Sequence, residues 1–462
     1  MSRAAPVSFW LETAARGPAR PALDGSVDAD VAILGAGYSG LWTAFALQER
    51  RPDLRIAIVE AETAGFGASG RNGGWCVANV SVSPAELSRR HGPGAARATM
   101  LALRDTVDEV GRVCADHGID AQYRKGGVLR IARGAHELTA LRAGFQSRST
   151  LGLTDGCELL DAPQTVARVA VADARGALFD PHCAVIHPGR LVRGLAEAVE
   201  RRGAAIFEGT RVTGVRERSG RQGPRLVTER GDVRAATVVL AGDAYLAGLP
   251  GMRRRVLPVY SLIVLTEPLS DHAWEALGWQ RHECLSSHRY TVDYLSRTAD
   301  GRILFGGRGA PYHYGSAITD AYDRHDATHA VLRDQLSDWF PQLGRIGFSH
   351  AWGGPVGMTR DWMPRIGHDP RSGIAGAWGY GGQGVAASNL AGRALADLIT
   401  ETPSSVSDLP LVGHQPRSWE PEPVRWLAVR YLQTTLARID TRARRTGRPP
   451  SGRSLAERLI RH

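Results

Sequence analysis

Three glycines and one carboxylate have a spacing that favours the binding of a dinucleotide. Gly35, Gly37 and Gly40 form a G-x-G-x-x-G motif, and Glu60 follows Gly40 by 20 residues. In such motifs the glycines bring backbone N–H groups close to a pyrophosphate, and the later acid binds the ribose hydroxyls of an adenosine. Because Glu60 would repel a 2′-phosphate, the motif predicts FAD or NAD rather than NADP.

This motif is informative only where a strand precedes it and a helix follows it. Residues 32–34 close a continuous apolar run, typical of a strand buried on both faces, and residues 41–50 form an apolar segment of helical length. A second strand is predicted over residues 55–59. The sequence therefore predicts one βαβ unit with the helix N-terminus facing the anion. The intervening residues predicted to contact the ligand are Ala36, Tyr38, Ser39 and Ala61.

A second glycine-rich segment, residues 65–74, follows directly. Its backbone can approach a flat or charged ligand closely, because glycine has no side chain. We expect the serine and the backbone N–H groups to bind phosphate, and the arginine and asparagine to reach a polar ring edge; the alternative is a flexible surface loop. A flavin, with its large ring system, can use such a second cradle. The residues predicted to contact it are Ser69, Arg71, Asn72, Gly73 and Gly74.

A third glycine-rich stretch links a predicted strand, residues 374–378, to a helix predicted over residues 385–399. It formally repeats G-x-G-x-x-G, but no strand ending on an acid follows, so a second dinucleotide site is not expected. We expect this helix N-terminus to face a partial negative charge, such as a flavin carbonyl oxygen. The predicted contacts are Gly379, Gly381, Gly382, Gln383, Gly384 and Val385. Another buried strand ends on the small residues Ala241 and Gly242, which would let it pass under the cofactor.

Between residues 256 and 309 apolar and polar residues alternate, which predicts an antiparallel sheet with one covered face. A strand with period 2 would carry Tyr290 and Tyr294 on one face and Asp293 on the other. We assign Tyr290 to a substrate pocket and Arg308 to pairing with a substrate carboxylate. The alternatives are core tyrosines and an exposed surface arginine.

Composition restricts the possible compartments and partners. The chain has 462 residues, a net charge of +10 and five scattered cysteines without a C-x-x-C pair, which argues against a disulfide framework or a zinc site. No apolar stretch of membrane-spanning length and no secretory signal is apparent, so we expect a cytoplasmic protein. Residues 423–462 contain ten arginines and two acids, so the positive charge belongs to a tail and does not indicate a nucleic-acid partner.

The chain resembles the D-amino-acid-oxidase-like FAD-dependent oxidoreductases, and most closely the branch that contains gamma-glutamylputrescine oxidase. The resemblance covers nearly the whole chain. It is carried by residues 35–44, 65–74, 123–132, 186–196, 240–246, 297–307, 363–367 and 378–393. It implies an α/β fold, in which a Rossmann-like FAD-binding domain is joined to a second domain of mainly antiparallel sheet. It also implies that the three motifs hold FAD, with Val212 at the adenine.

Two departures from the family pattern bear on the chemistry. Some relatives attach flavin through a late cysteine, and this chain has no cysteine after Cys284, so we expect non-covalent FAD. Some relatives also place a lysine where this chain has Ala386, and that lysine helps oxygen to react. The leading hypothesis is oxidation of the C–N bond of an amine or amino acid with O2 as acceptor. Two alternatives remain, a dehydrogenase passing electrons to a carrier or quinone, and a non-enzymatic membrane- or nucleic-acid-binding protein.

The predicted domain organisation follows the resemblance and the change of pattern. Residues 1–28 form an arm docked by its aromatic residues; 29–83, 150–246 and 340–404 form a discontinuous FAD-binding domain; 84–149 and 247–339 form the substrate domain; and 405–462 form a basic helical tail. In the tail, one helix face carries Leu427, Tyr431, Leu432, Leu436 and Ile439. This face would pack on the FAD domain or contact an anionic membrane.

Overall fold

The computed structural model describes residues 7–308 and 312–460, and the side chain of Arg308 lies outside that description. The helices are α1 (Phe9–Thr13), α2 (Tyr38–Arg50), α3 (Pro84–His91), α4 (Pro93–Asp116), α5 (Leu138–Thr150), α6 (Ala162–Arg168), α7 (Pro188–Arg201), α8 (Asp271–Leu277), α9 (Asp326–Trp339), α10 (Gly384–Ile399), α11 (Val424–Thr446) and α12 (Leu455–Leu459).

The strands are β1 (Val27–Asp28), β2 (Val31–Leu34), β3 (Ile56–Val59), β4 (Trp75–Val77), β5 (Val128–Arg133), β6 (Glu158–Asp161), β7 (Ala174–Asp180), β8 (Cys183–Val185), β9 (Ala205–Phe207), β10 (Val212–Arg216), β11 (Arg225–Thr228), β12 (Gly231–Arg234), β13 (Thr237–Leu240), β14 (Leu257–Thr266), β15 (Cys284–Ser287), β16 (Asp293–Arg297), β17 (Ile303–Arg308), β18 (Phe348–Met358), β19 (Arg365–Asp369) and β20 (Ile374–Trp378).

A six-stranded sheet with the order β19-β20-β13-β2-β3-β9 forms the first half of the molecule. All its pairs are parallel except β19 with β20. Strands β3 and β13 are buried throughout, as expected of parallel strands covered on both faces. This sheet confirms the predicted Rossmann-like βαβ unit. A four-stranded sheet, β1-β12-β11-β10, and a two-stranded sheet, β4-β8, complete this part of the fold.

Two helices of this half begin at the same edge of the sheet. Helix α2 follows the carboxyl end of β2, and α10 follows the carboxyl end of β20, which runs in the same direction. The two helices pack closely, because a Cβ at Gly392 would lie only 2.6 Å from the backbone carbon of Trp42. Both helix N-termini therefore point to one edge of the sheet, where ligands of open α/β sheets bind.

An eight-stranded sheet, β18-β14-β17-β16-β15-β5-β7-β6, forms the second half. Its pairs are antiparallel except β15 with β5, which confirms a second, mainly antiparallel sheet. Apolar residues of one face pack with α9 in a core that contains Leu262, Phe305 and Leu336. Strands β6, β7 and β18 fall within segments that the sequence had assigned to the FAD-binding domain, so the predicted boundaries do not coincide with the sheets.

The predicted strand carrying both Tyr290 and Tyr294 is wrong. Strand β15 ends at Ser287 and β16 begins at Asp293, so Tyr290 lies in the hairpin between them. The Asp293 carboxylate accepts hydrogen bonds from the backbone N–H and the hydroxyl of Ser287, each at 2.8 Å, and closes the hairpin. The prediction of opposite faces from strand alternation therefore applies to Tyr294 and Asp293, which both lie in β16, and not to Tyr290.

The N-terminal segment docks through its aromatic residues, as predicted, but as a short helix. Helix α1 buries Phe9, Trp10 and Leu11, and the Ser8 hydroxyl caps it. The Trp10 indole N–H donates to the Asn72 carbonyl at 2.8 Å. The segment therefore supports the second glycine-rich segment from outside.

Helix α11 packs on the substrate half, whereas the start of the C-terminal segment, residues 406–413, packs on β19 of the six-stranded sheet. Val429 of α11 joins a cluster with Leu257 and Val259 of β14. On the face predicted to be covered, Leu427 and Tyr431 are 56% and 43% exposed. Within the described ranges, no helix is both long and apolar enough to cross a lipid bilayer.

Candidate functional site

A cavity of about 1330 Å³ lies between the carboxyl edge of the six-stranded sheet and one face of the eight-stranded sheet. Pockets for drug-sized ligands usually measure roughly 300–1,000 Å³, so this cavity has room for a dinucleotide and a second small molecule. The predicted residues that line it are Gly35, Gly37, Tyr38, Ser39, Glu60, Ala61, Ser69, Arg71, Asn72, Gly73, Val212, Ala241, Gly242, Gly382, Gln383, Gly384 and Val385.

The first motif forms a tight turn against the end of β13. Gly35 has a φ of +101°, and a Cβ there would lie 2.9 Å from the Ala241 carbonyl oxygen. A Cβ at Gly40 would lie 2.0 Å from the carbonyl oxygen of Gly35, so only glycine lets α2 begin this close to the turn. Gly40 and Ala36 are part of the turn, but they are not among the described residues that line the cavity.

Ser69 ties the first two glycine-rich segments together. Its hydroxyl accepts the backbone N–H of Tyr38 at 2.8 Å, at the start of α2. A Cβ at Gly37 would lie 3.0 Å from the same oxygen. Gly37 therefore lines the cavity without a side chain of its own, and the Ser69 hydroxyl lies directly against it.

Glu60 lies at the cavity wall beside Ala61 and Val212. Its carboxylate accepts the backbone N–H groups of Ala36 at 2.9 Å and of Glu62 at 3.0 Å, which fixes its orientation. Burial raises the pKa of Glu60 above its usual range, although these two hydrogen bonds oppose the shift.

The second segment holds its shape through its own polar side chains. The Asn72 amide donates to the Ser69 carbonyl at 2.9 Å and accepts the Gly74 N–H at 2.9 Å. Asn72 therefore supports the loop, and its amide is engaged there rather than at a ligand. Gly74 has a φ of +75°, and a Cβ there would lie 2.7 Å from a backbone oxygen, so its role is a close approach to the chain.

Arg71 forms a buried ion pair with Asp323 on the cavity wall. Its Nε donates to the Phe66 carbonyl at 2.7 Å, and its guanidinium lies 4.5 Å from the centre of the Phe66 ring. Burial raises the pKa of Asp323 to about 6, with Arg71 acting in the opposite direction. Nη2 of Arg71 is buried and has no hydrogen-bond partner among the described residues.

The third segment brings the start of α10 to the cavity. Helix α10 begins at Gly384 with no side-chain cap on its first turn. Gly379 and Gly381 have φ values of +83° and +58° and make the turn that precedes it. The first turn of the helix therefore has backbone N–H groups that no side chain caps, and their contact with a partly negative oxygen stays a prediction.

Asp243 was not predicted, and it organises this end of the site. Its carboxylate accepts the backbone N–H groups of Gly357 and Gly379, each at 2.8 Å. These bonds tie the end of β13 to the eight-stranded sheet and to the turn before α10. Burial raises the pKa of Asp243. A carboxylate three positions after the end of a buried parallel strand was the signal that could have identified it.

The wall opposite the glycine-rich turns is formed by side chains of the eight-stranded sheet. The Tyr294 hydroxyl lies 2.9 Å from the Ser261 hydroxyl. A Cβ at Gly73 would lie 2.4 Å from the Tyr294 ring, so this tyrosine packs directly on the second segment. The Trp352 indole N–H donates to the Arg71 carbonyl at 2.9 Å.

The two residues predicted for the substrate pocket have different positions. Tyr290 faces the C-terminal segment, where its hydroxyl donates to Glu457 at 3.3 Å and its N–H to Asp440 at 3.1 Å. The hairpin turn directs it away from the wall that Tyr294 forms. Arg308 ends β17 opposite Ser261, but its side chain lies outside the described part of the chain, and its role stays a prediction.

The site has the features that FAD requires. Gly37 lines the cavity without a side chain of its own, the first turn of α10 lacks a side-chain cap, and the Glu60 carboxylate is held in place on the cavity wall. Together these groups suit a pyrophosphate, a flavin oxygen and a ribose. Among the described residues, no cluster of histidine, cysteine or carboxylate side chains is suited to a metal ion.

A dinucleotide cradle that opens onto a large antiparallel sheet is the arrangement of a two-domain flavin enzyme. The family model described as FAD dependent oxidoreductase (DAO) matches residues 30–398. The chain therefore belongs to the DAO family of FAD-dependent oxidoreductases, and it is an enzyme of that class.

Individual relatives agree with this assignment. Gamma-glutamylputrescine oxidoreductase of Escherichia coli (strain K12) is 31% identical over 395 residues, covering 85% of this chain and 88% of the relative. The crystal structure of glycine oxidase from Bacillus cereus ATCC 14579 has a TM-score of 0.67 at 20% identity, covering 82% of this chain and 96% of that chain. That of L-proline dehydrogenase from P. horikoshii has a TM-score of 0.67 at 18% identity, covering 85% and 96%. Both structures share the fold.

Proposed function

We propose that the protein oxidises a C–N bond of a small amine or amino acid. The observation that carries the proposal is one continuous cavity, which is lined both by the dinucleotide cradle and by Tyr294 and Ser261 of the eight-stranded sheet. When bound, FAD supplies the two-electron acceptor. The chain's own residues hold the substrate against it, with the Tyr294 ring and Trp352 as the apolar wall. The name of the Escherichia coli relative supports a small amine as substrate.

The test is anaerobic bleaching of the flavin absorbance. We would mix the holoenzyme with a panel of polyamines, gamma-glutamylated amines, D-amino acids and N-methyl amino acids in the absence of oxygen. The proposal expects at least one class to bleach the flavin. If every compound left the spectrum unchanged while dithionite reduced it, amine oxidation would be the wrong activity.

We propose that FAD is held without a covalent bond. Cys76, Cys114, Cys183 and Cys284 are buried, and none of the cysteines is among the described residues that line the cavity. Acid precipitation should release the yellow colour to the supernatant. Colour retained in the washed pellet would contradict a non-covalent cofactor.

For the electron acceptor, our first hypothesis is O2, and the alternative is a carrier or quinone. Ala386 favours the alternative, because it is buried in the first turn of α10 and brings no cation to the cavity. Stopped-flow mixing of the reduced enzyme with air distinguishes the two. Fast reoxidation supports an oxidase, whereas slow reoxidation that a soluble quinone accelerates supports a dehydrogenase.

We also propose a cytoplasmic protein with peripheral contact to an anionic membrane through α11. The exposed side chains of Leu427 and Tyr431 lie on a helix that is rich in arginine, and each basic residue near an anionic surface contributes about 1 kcal/mol. Sedimentation with anionic vesicles should occur at low salt and be lost at high salt. A protein with Leu427→Ser and Tyr431→Ser that sediments as well as the wild type would refute the contact.

A further inference from the structure

A row of side chains crosses the cavity face of the eight-stranded sheet. The pairing registers place Trp352 of β18 beside Ile263 of β14, and Ile263 beside Gly306 of β17. The row continues through Tyr294 of β16 and Ser286 of β15 to Arg130 of β5, because directly paired residues share a face. Members of the row that line the cavity are Trp352, Ile263, Tyr294, Ser286 and Arg130.

One end of the row meets the second glycine-rich segment. Trp352 donates to the Arg71 carbonyl at 2.9 Å, and Gly73 packs against the Tyr294 ring. Arg71 and Gly73 belong to the segment that holds the flavin in the function proposed above. The Trp352–Tyr294 end of the row is therefore the end where the reacting C–N bond lies.

The other end of the row is closed just beyond Arg130. On the same face, Ala132 and Leu178 pack against Leu141 of α5 and are fully or nearly fully buried. The helix therefore covers the sheet where the row ends. A ligand lying along the row would place its far terminus at Arg130.

Arg130 shares the Asp180 carboxylate with Arg148 at this closed end, so two positive charges act on one negative charge. Nη1 of Arg130 is buried and has no hydrogen-bond partner among the described residues. The Asp180 carboxylate is already hydrogen-bonded to the His182 ring at 2.9 Å, and one of its oxygens lies 3.5 Å from Nε of Arg148. The neighbouring His288 is neutral at pH 7, because burial, helped by Arg130 and Arg148, lowers its pKa to about 4.

The length of the row sets the size of the ligand. Tyr294 and Arg130 lie on strands separated by one other strand, β15. Neighbouring strands are about 4.8 Å apart, so the two side chains are rooted roughly 10 Å apart. An anion at Arg130 would therefore be roughly 10 Å from the reacting end.

We propose that Arg130 forms an anion subsite that binds a substrate carboxylate roughly 10 Å from the C–N bond that is oxidised. The inference rests on the proposed amine oxidation and specifies its substrate class, an extended amine with a carboxylate at the far end. A guanidinium suits this task, since it can bind a carboxylate through two parallel hydrogen bonds. Ser286, next to Arg130 in the row, offers a third donor.

The first experiment compares matched substrates. We would measure kcat/KM for straight-chain ω-amino acids, from aminohexanoate to aminodecanoate, and for the alkylamines of equal length. Arg130→Met should lower kcat/KM for the amino acids by about tenfold to a hundredfold, the equivalent of a lost charge-assisted interaction. The alkylamines should change by less than about twofold. An equal loss on both series would overturn the subsite.

Arg175→Met is the matched control, because Arg175 is exposed on the neighbouring strand β7 and the variant removes the same charge. It should leave both series unchanged. If Arg130→Met does not retain FAD, Arg130→Lys replaces it. That variant keeps the charge but loses the bidentate geometry, and it should give a smaller loss that is still selective for the carboxylates. Unselective loss in Arg130→Lys also overturns the proposal.

A binding experiment separates this inference from the proposed function. Octanoate carries the carboxylate without the amine, and its Kd for the oxidised holoenzyme is read from the flavin difference spectrum. The Kd should rise about tenfold or more in Arg130→Met and stay constant in Arg175→Met. Arg130-dependent octanoate binding without bleaching by any amine would keep the subsite and refute amine oxidation. If amines bleach the flavin but octanoate binding does not depend on Arg130, amine oxidation is supported and the subsite is refuted.

Discussion

The two ends of the cavity are built by different means. At the dinucleotide end, much of the lining comes from three short glycine-rich segments, each continuous in sequence, with the Glu60 carboxylate beside them. At the substrate end, the wall consists of side chains from β14, β16 and β18 and from the segment that contains Asp323, brought together by long-range pairing. The first end depends on where side chains are absent, and the second on which side chains are present. Substitutions should therefore act differently at the two ends.

The largest effect is expected where a side chain is added at the dinucleotide end. Gly40→Ala would place a Cβ 2.0 Å from the Gly35 carbonyl oxygen, which should destabilise the fold by about 3 kcal/mol. FAD affinity should fall about a hundredfold because the turn is displaced. The ratio of flavin to protein absorbance and the Tm measure both effects.

Gly94→Ala provides the control for this substitution. Gly94 lies in α4, and a Cβ there meets nothing within 4 Å. This variant should keep its FAD and be at least as stable as the wild type, since alanine favours a helix. A Gly40→Ala protein with full FAD content would show that the close packing of α2 on the turn is unimportant.

An intermediate effect is expected at the substrate end, and it distinguishes two tyrosines. Tyr294→Phe removes the hydroxyl that lies 2.9 Å from Ser261 on the cavity wall, and it should lower kcat/KM about tenfold with FAD content unchanged. Tyr290→Phe should change kcat/KM by less than about twofold, because Tyr290 bonds the C-terminal segment. Both variants are measured with the best amine substrate. If Tyr290→Phe lowered kcat/KM more than Tyr294→Phe, Tyr290 would belong to the substrate pocket after all.

The smallest effect concerns α12, whose Glu457 accepts a hydrogen bond from the Tyr290 hydroxyl. Burial alone would raise the pKa of Glu457, but hydrogen bonds from Ser454, Gly452 and Ser451 lower it to about 2 from the usual 4.5. Since the folded pKa is depressed, Glu457 stabilises the docked segment above pH 4.5 and loses that contribution as the pH falls towards 2. Stability of the segment should therefore be acid-sensitive.

Thermal unfolding of Glu457→Gln measures this contribution. At pH 6 its Tm should be lower than that of the wild type by roughly 2 °C, and the gap should narrow as the pH falls below about 4.5. Glu229→Gln changes an exposed carboxylate and should show no gap at any pH. A gap that is constant with pH would show that the charge of Glu457 is not what holds the segment.

The same contrast explains how much the sequence could predict. The βαβ unit and the cradle residues follow from local spacing, because a turn at Gly35 and a helix starting near Gly40 leave few alternatives. Tyr290 was misplaced because the hairpin that contains it is closed by Asp293 and Ser287, and alternation alone does not show where a strand ends. The contribution of Asp323 depends on a contact with Arg71 across 252 residues, which no local pattern contains.

The C-terminal segment has a consequence for how this enzyme can diversify. It lies beyond the residues that match the family model, yet its Asp440 holds Thr291 at 2.8 Å and its Glu422 holds Gly315 at 3.0 Å. The two loops held in this way contribute Arg289 and Ser316 to the lining of the cavity. Part of the cavity lining is thus positioned by residues that lie outside the match to the family model. Substitution of Asp440 or Glu422 would therefore reshape the substrate side of the cavity without changing any residue that matches the family model.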